Sequence, residues 1–294
     1  MSQTTQPASM TQAQLKTPTW FTVNNRRGKT ILTMVVSLGF ILLVMIAGLM
    51  IDAESLRTNL TDRNLAPSWD YPFGTDWLGR DMLTRTLIGL SLSLRIGLIA
   101  ATISALIAGL LGLAAAMFGG IVDDIITWLI DVFLSLPHLV LLILISFALG
   151  GGTRGVVIAV AITHWPSLAR VIRAEALKIR QSDYVQLSRQ FGHSGWWIAR
   201  KHIAPHIVPQ FIVGLILLFP HAILHEAALS FVGIGLAPHT PAIGIILSEA
   251  MRHLSTGYWW LAVLPGLALL VSVKLFDILG ENLRDLLNPK TSQG

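Results

Sequence analysis

Six long apolar runs decide what this chain can fold into. A helix needs about 20 apolar residues, at about 1.5 Å per residue, to cross a hydrocarbon core. Residues 31–51 and 96–118 meet that requirement without a single charge. Residues 125–149 form a longer run holding Asp131 and Pro137, whereas 156–172 is short and holds Pro166 and Arg170. Residues 207–224 run on into His225 and Glu226, and 259–279 contain Lys274 and Asp277. The expectation is an all-α polytopic membrane protein with six transmembrane helices, the ends of the fourth and fifth being the least defined. Composition agrees: 53% of residues are hydrophobic, only 13% are charged, and mean hydropathy is +0.66, far from a soluble domain. The absence of cysteine excludes a disulfide framework, a thiolate metal site and a cysteine nucleophile.

Basic residues set the expected orientation, because loops rich in Lys and Arg stay on the cytoplasmic side. Lys16, Arg26, Arg27 and Lys29 precede the first run, which places the N-terminus inside. Six crossings then put residues 170–201, with seven basic residues, on the same side, together with Arg284 and Lys290. The outer segments hold Arg57, Arg63, Arg80, Arg85, Arg154 and Arg252, four of them in one loop that also carries six acidic residues. The net charge of +5 therefore reads as a topology signal and not as a nucleic-acid footprint. A cleavable signal peptide is not expected, since 29 mostly polar residues precede the first run and that run is too long for a signal core. The first 20 residues have a disorder-prone composition.

The resulting division is a cytoplasmic tail (1–29), a first transmembrane helix (30–51) and a periplasmic loop (52–93). A five-helix core (94–280) and a cytoplasmic tail (281–294) follow. Turn residues Pro67, Pro72 and Gly74 punctuate the outer loop, which is expected to end in a short surface helix. A second outer stretch, 233–258, is rich in Gly and Pro and contains an apolar segment, 242–251, able to dip toward the membrane.

One internal segment breaks the apolar pattern. Residues 173–209 are charged and amphipathic, with a turn glycine at Gly192 and a proline thirteen residues later at Pro205. Glycine permits a sharp turn between two short helices. Pro205 and Pro209 are expected at the start of the fifth span, where a missing N–H costs little. An ordinary charged loop is the plain reading.

The spacing resembles the coupling loop of an ABC importer's membrane subunit, which reads EAA, three residues, Gly, nine residues, I-x-L-P. Other segments extend the resemblance to the dipeptide/oligopeptide/nickel family of ABC importer permeases. Pro72-Phe73-Gly74-Thr75-Asp76-Trp77-Leu78-Gly79-Arg80-Asp81 resembles P-F-G-T-D-x-x-G-R-D, and the stretch from Asp131 to Pro137 resembles D-x-x-L-S-x-P. Leu229-Ser230-Phe231-Val232-Gly233-Ile234-Gly235 is similar to L-S-F-L-G-x-G. Pro265-Gly266-Leu267 and the stretch from Gly280 to Pro289 are similar to the family's C-terminal pattern. The resemblance implies a type I ABC importer architecture, with no cofactor and no ATPase on this chain. Its partners would be a second homologous permease, two cytoplasmic ATP-binding subunits and an extracytoplasmic solute-binding protein, all at a bacterial inner membrane. ATPase coupling would fall to Tyr184, Gln186, Ser188, Arg189, Gly192 and Pro205. Contact with the binding protein would fall to Gly74, Asp76, Arg80, Asp81, Gly233 and Gly235. Two departures stand out: Gln186-Leu187-Ser188 replaces EAA, and His202-Ile203-Ala204-Pro205 replaces I-x-L-P.

The fifth run offers the clue to solute. His221 and His225 are four apart, hence on one helix face, and Glu226 follows. Ionisable groups at membrane depth are costly and by default mark a pathway or a partner contact, so His221, His225 and Glu226 are candidate pathway residues. Near the outer interface, His225 and Glu226 could equally be solvated or hydrogen-bonded between helices. His221-Ala-Ile-Leu-His225 and His164-Trp165 resemble the nickel permeases more than the dipeptide ones, which points to nickel or a nickel chelate first and short peptides second. Imidazole is a natural nickel ligand, but no metal site follows from spelling alone. Asp131, Lys274 and Asp277 read as structural ion pairs, the last two at i,i+3.

Enzymatic motifs fail. Gly28-Lys29-Thr30 ends like a phosphate-binding loop, yet Val23 stands where its first glycine belongs. His225-Glu226 begins like H-E-x-x-H and lacks the second histidine. An intramembrane metallohydrolase built on His221, His225 and Glu226 would want a further protein ligand that the sequence does not show nearby.

Overall fold

The computed structural model describes residues 26–287, so most of the N-terminal tail and the last seven residues lie outside the described part. The described residues are helical almost throughout, with no named strand. Five helices are long and apolar enough to cross a membrane, and a sharply bent pair makes a sixth span if counted as one. The expected all-α polytopic fold is what the structure shows.

α1 (Arg26–Met50) packs along α2 (Met82–Phe118), a helix of 37 residues. The expected short surface helix before the second span does not exist as a separate element. Asp81 caps α2 by accepting from the Leu83 and Thr84 amides, and nothing breaks the helix from there to Phe118. The helical end of the outer segment is the first dozen residues of α2, 82–93. α2 is the central member, and α1, α5, α6, α9 and α10 all lean on it. Its contact faces are lined with Ala, Gly and Ser, which lets backbones approach closely where lipid supplies no hydrophobic drive. A Cβ added to Gly97 would lie 2.6 Å from Ile223, and one added to Gly112 would lie 2.7 Å from the Ala169 carbonyl. Ser91 Oγ donates to the Met45 carbonyl at 2.9 Å, satisfying a buried hydroxyl across the α1–α2 contact.

The third apolar run is not one straight span. α3 (Gly120–Ser135) and α4 (His138–Ala148) meet at 99°. Pro137 has no N–H to give and bars Leu136 from helical geometry; Leu136 accordingly sits extended at φ −86°, ψ 143°. α5 (Gly152–Thr163) and α6 (Trp165–Arg180) almost run together, parted only at His164. Pro166 falls in the first turn of α6, where its missing N–H is harmless, so the short fourth run is part of a 29-residue span, Gly152–Arg180.

α7 (Asp183–Gln190) and α8 (Gly195–Ile198) follow, then a wide π turn (Ala199–Ile203) leading into α9 (Ala204–Val232). Pro205 lies in the first turn of α9 as expected, but Pro209 is inside the helix and does not mark its start. α10 (Ile243–Met251) is buried against α9, α11 and α2. α11 (Trp260–Leu287) runs past residue 280, so residues 281–287 are helical. The expected ion pairs form: Arg170 reaches Asp131 at 2.7 Å and Lys274 lies 4.0 Å from Asp277.

Candidate functional site

The segment between the fourth and fifth spans folds as a helix–turn–helix. α7 ends at Gln190, and Gly192 takes φ +82°, a left-handed conformation that closes the turn without a Cβ penalty. The His193 amide returns to the Ser188 carbonyl at 3.2 Å. One aromatic cluster fastens α7 to the start of α9: His193 stacks on Trp197 at 3.7 Å, Trp197 meets His202 edge-on, and Tyr184 meets His202 in turn. Only Val185 of α7 is buried, whereas Phe191 and Trp196 are about four-fifths exposed. Trp196 lines a surface pocket together with Arg200 and Lys201, and exposed large aromatics of this kind are often interaction surfaces.

The two departures from the family spelling acquire partners here. Gln186 donates its amide to the Gln181 carbonyl at 3.1 Å, a bond that an ionised Glu could not make. Ser188 Oγ lies 3.0 Å from His202 Nε2. No sequence signal ties these two positions. At the same end, Arg173 of α6 forms a two-pronged pair with Asp123 of α3, Nη2 to Oδ2 being 2.6 Å.

At the opposite end, residues 74–81 make a closed polar lattice. Asp76 is fully buried and accepts from the Leu78 and Arg80 amides at 2.9 Å, from Arg80 Nε at 2.7 Å and from Arg85 Nη1 at 2.8 Å. Arg85 in turn reaches Glu249 of α10 at 2.8 Å. A buried charge is tolerated when paired and fully hydrogen-bonded, and Asp76 satisfies that condition within the chain. Gly74 is buried too, a Cβ there falling 2.6 Å from the Leu65 carbonyl. Of the residues expected to touch a binding protein, Gly74 and Asp76 thus shape the surface from beneath, while Arg80 and Asp81 are only partly exposed. Gly233 is exposed and closes α9 at φ +86°; Gly235 is buried, with Ser230 where its Cβ would be. Nearby Tyr71 donates to Asp62 at 3.0 Å, and that carboxylate holds the phenol above its usual range.

Between the two ends lies an open cavity of about 350 Å³, lined by Ser167, Gln210, His221 and Arg284 among others. His221 faces it. His225 does not join His221 there: its Nδ1 bonds the His221 carbonyl at 2.7 Å and sits 3.2 Å from His164 Nε2. Glu226 is wholly buried and accepts from Ser230 Oγ at 2.8 Å, so it is neither at a solvated interface nor on the cavity wall. The trio His221, His225 and Glu226 is therefore not assembled as one site. The histidines that do converge are His138, His164 and His225. His138 escaped notice in the sequence because only the bend at Pro137 brings it inward.

The chain was also compared with known proteins. The model for binding-protein-dependent transport system inner membrane components matches residues 105–293. A dipeptide transport system permease of Bacillus subtilis (strain 168) is 35% identical over 252 residues, covering 85% of this chain and 79% of that one. A dipeptide transport system permease of Haemophilus influenzae (strain ATCC 51907 / DSM 11121 / KW20 / Rd) is 34% identical, covering 93% and 94%. An oligopeptide transport system permease of Bacillus subtilis (strain 168) is 34% identical, covering 79% and 76%.

Proposed function

This chain belongs to the binding-protein-dependent transport system inner membrane components, and on that premise we propose that its importer carries short peptides. It is a permease subunit of an ABC importer. The observation that carries the solute is the naming of its relatives as dipeptide and oligopeptide permeases across most of both chains. They favour peptides over the nickel suggested by the spelling around His164, His221 and His225.

In this reading the chain forms half of a gated pathway beside a related permease, with two ATP-binding subunits on the cytoplasmic side and a solute-binding protein outside. Both termini are cytoplasmic, and α7, α8 and the π turn form the coupling element. Tyr184, Gln186, Ser188, Arg189, Gly192 and Pro205 shape or line that element, and Phe191 and Trp196 offer the exposed anchors. A push on it reaches α6 and α9 together, because it joins their ends directly. Gln210, His221 and Arg284 give the cavity the donors that a peptide's carboxylate and carbonyls require. No bond chemistry falls to this chain, and the metallohydrolase alternative loses its catalytic carboxylate because Glu226 is buried against Ser230.

The test is uptake by the complete transporter in proteoliposomes, supplied with binding protein and internal ATP. Radiolabelled dipeptide should accumulate in an ATP-dependent way. ATP-dependent nickel accumulation without peptide uptake would reverse the assignment.

A further inference from the structure

We infer that His138, His164 and His225 form a binding site for one divalent transition-metal ion, held where three interrupted helices meet. Each residue sits at or near an irregularity of its span. His138 is the first residue of α4, directly after the 99° break at Pro137. His164 is the single residue between α5 and α6. His225 lies one and a half turns beyond Pro220 inside α9. Segments far apart in sequence thus deliver three imidazoles to one point.

The geometry is that of a ligand set before an ion tightens it. The ring centroids lie 4.6, 4.7 and 4.9 Å apart, and one nitrogen from each ring falls within 4.8 Å of the others. Metal–nitrogen bonds of about 2.0–2.1 Å in a tetrahedral site place ligand nitrogens about 3.3 Å apart. The 3.2 Å contact joins His164 Nε2 to His225 Nδ1, which carries a hydrogen toward the His221 carbonyl 2.7 Å away, so an ion closes the set when His225 gives up that hydrogen or turns its other nitrogen inward and His138 rotates. His164 Nδ1 lies 2.9 Å from the Val160 carbonyl. A carbonyl only accepts, so Nδ1 carries the hydrogen and Nε2 keeps its lone pair toward His225. This backbone bond plays the part that outer partners play at metal histidines, fixing tautomer and ring direction.

Neutral imidazoles suit zinc, nickel, cobalt and copper and do not suit calcium or magnesium, which take oxygen ligands. Three protein nitrogens leave a position for water or an anion. His164 is buried while His138 and His225 are partly exposed, so an ion can enter. Once bound, it would tie α4, the α5–α6 junction and α9 into one unit, and any transport step that moves these segments apart would slow. The site does not depend on what the importer carries.

Cobalt(II) is the probe, titrated into the assembled transporter in lipid nanodiscs after chelator treatment. The expected result is one cobalt per copy of this chain, with the intense visible absorption of a low-coordinate nitrogen site, displaced by zinc. His138→Ala, His164→Ala and His225→Ala should each weaken binding by about tenfold or more, whereas His221→Ala should not. Zinc should slow solute uptake by the wild-type transporter and leave the triple variant unaffected. A wild-type titration with no such band would overturn the inference without recourse to any variant. So would a band that persists unchanged when all three histidines are replaced.

Discussion

Ser188 and His202 each break the family's spelling, and they are bonded to one another. Ser188→Ala and His202→Ile should each lower the melting temperature of the purified subunit, while the double change, which restores apolar residues at both positions, should recover most of the loss. A buried or half-buried hydrogen bond contributes about 0.5–1.5 kcal/mol, and a double-mutant cycle on thermal unfolding should return a coupling of that size. Strict additivity would show that the pair is incidental. Arg85 carries more: it bridges Asp76 and Glu249 with only 5% of its side chain exposed. Arg85→Met should cost about 3 kcal/mol, the lower end for breaking a buried pair, because Arg80 and two amides still hold Asp76. Little of this was readable beforehand. The sequence marked Asp76 and Arg80 by motif, but a partner 164 residues away such as Glu249 leaves no trace in local spacing. His138 was invisible for the same reason, being one polar residue after a proline in an apolar run.

Among the elements, the turn at Gly192 was legible and the bends were not. A glycine followed thirteen residues later by a proline, in a charged segment between apolar runs, fits an ordinary charged loop as well as a helix–turn–helix; the structure takes the second form, and its turn falls at Gly192. Gly192→Val forces a β-branched residue to φ near +82°, a cost of about 1–2 kcal/mol that should distort the turn. Either this change or deletion of residues 184–192 should leave the chain inserted while abolishing stimulation of the ATPases by loaded binding protein. Intact stimulation would remove the coupling role from this element. Pro137 was seen in the sequence, yet a proline in an apolar run reads alike whether the helix kinks slightly or turns through 99°. Packing decides between those outcomes, not the proline alone. Pro137→Ala should restore the missing N–H and reduce the bend, measurable as a changed distance between spin labels placed at Thr127 and Ser146.

For the whole molecule, hydrophobic length marked five spans outright, and the bent pair as a sixth if counted as one, because the bilayer imposes that length. The mutual arrangement of the spans was hidden, since small residues such as Gly97 and Gly112 mark close approach without naming the partner helix. Sidedness remains open to a direct test, made clean by the absence of native cysteine. Cysteines placed at Ser68 and Thr240 should react with a membrane-impermeant thiol reagent in intact cells, and one at Ser194 should not; labelling at Ser194 would invert the arrangement. One dimension of the molecule bears on how its two ends communicate. α2, with 37 residues, is about 55 Å long, well beyond the roughly 30 Å of hydrocarbon. Arg85 clamps it near one end, and Gly112 rests on α6 about 40 Å further along at 1.5 Å per residue. Such a rod is a lever: a tilt of roughly 5° applied at Arg85 sweeps Gly112 through about 3.5 Å over that span. A rotation of the lattice at one face would therefore reach the α6 contact as a displacement that grows with the length of the rod.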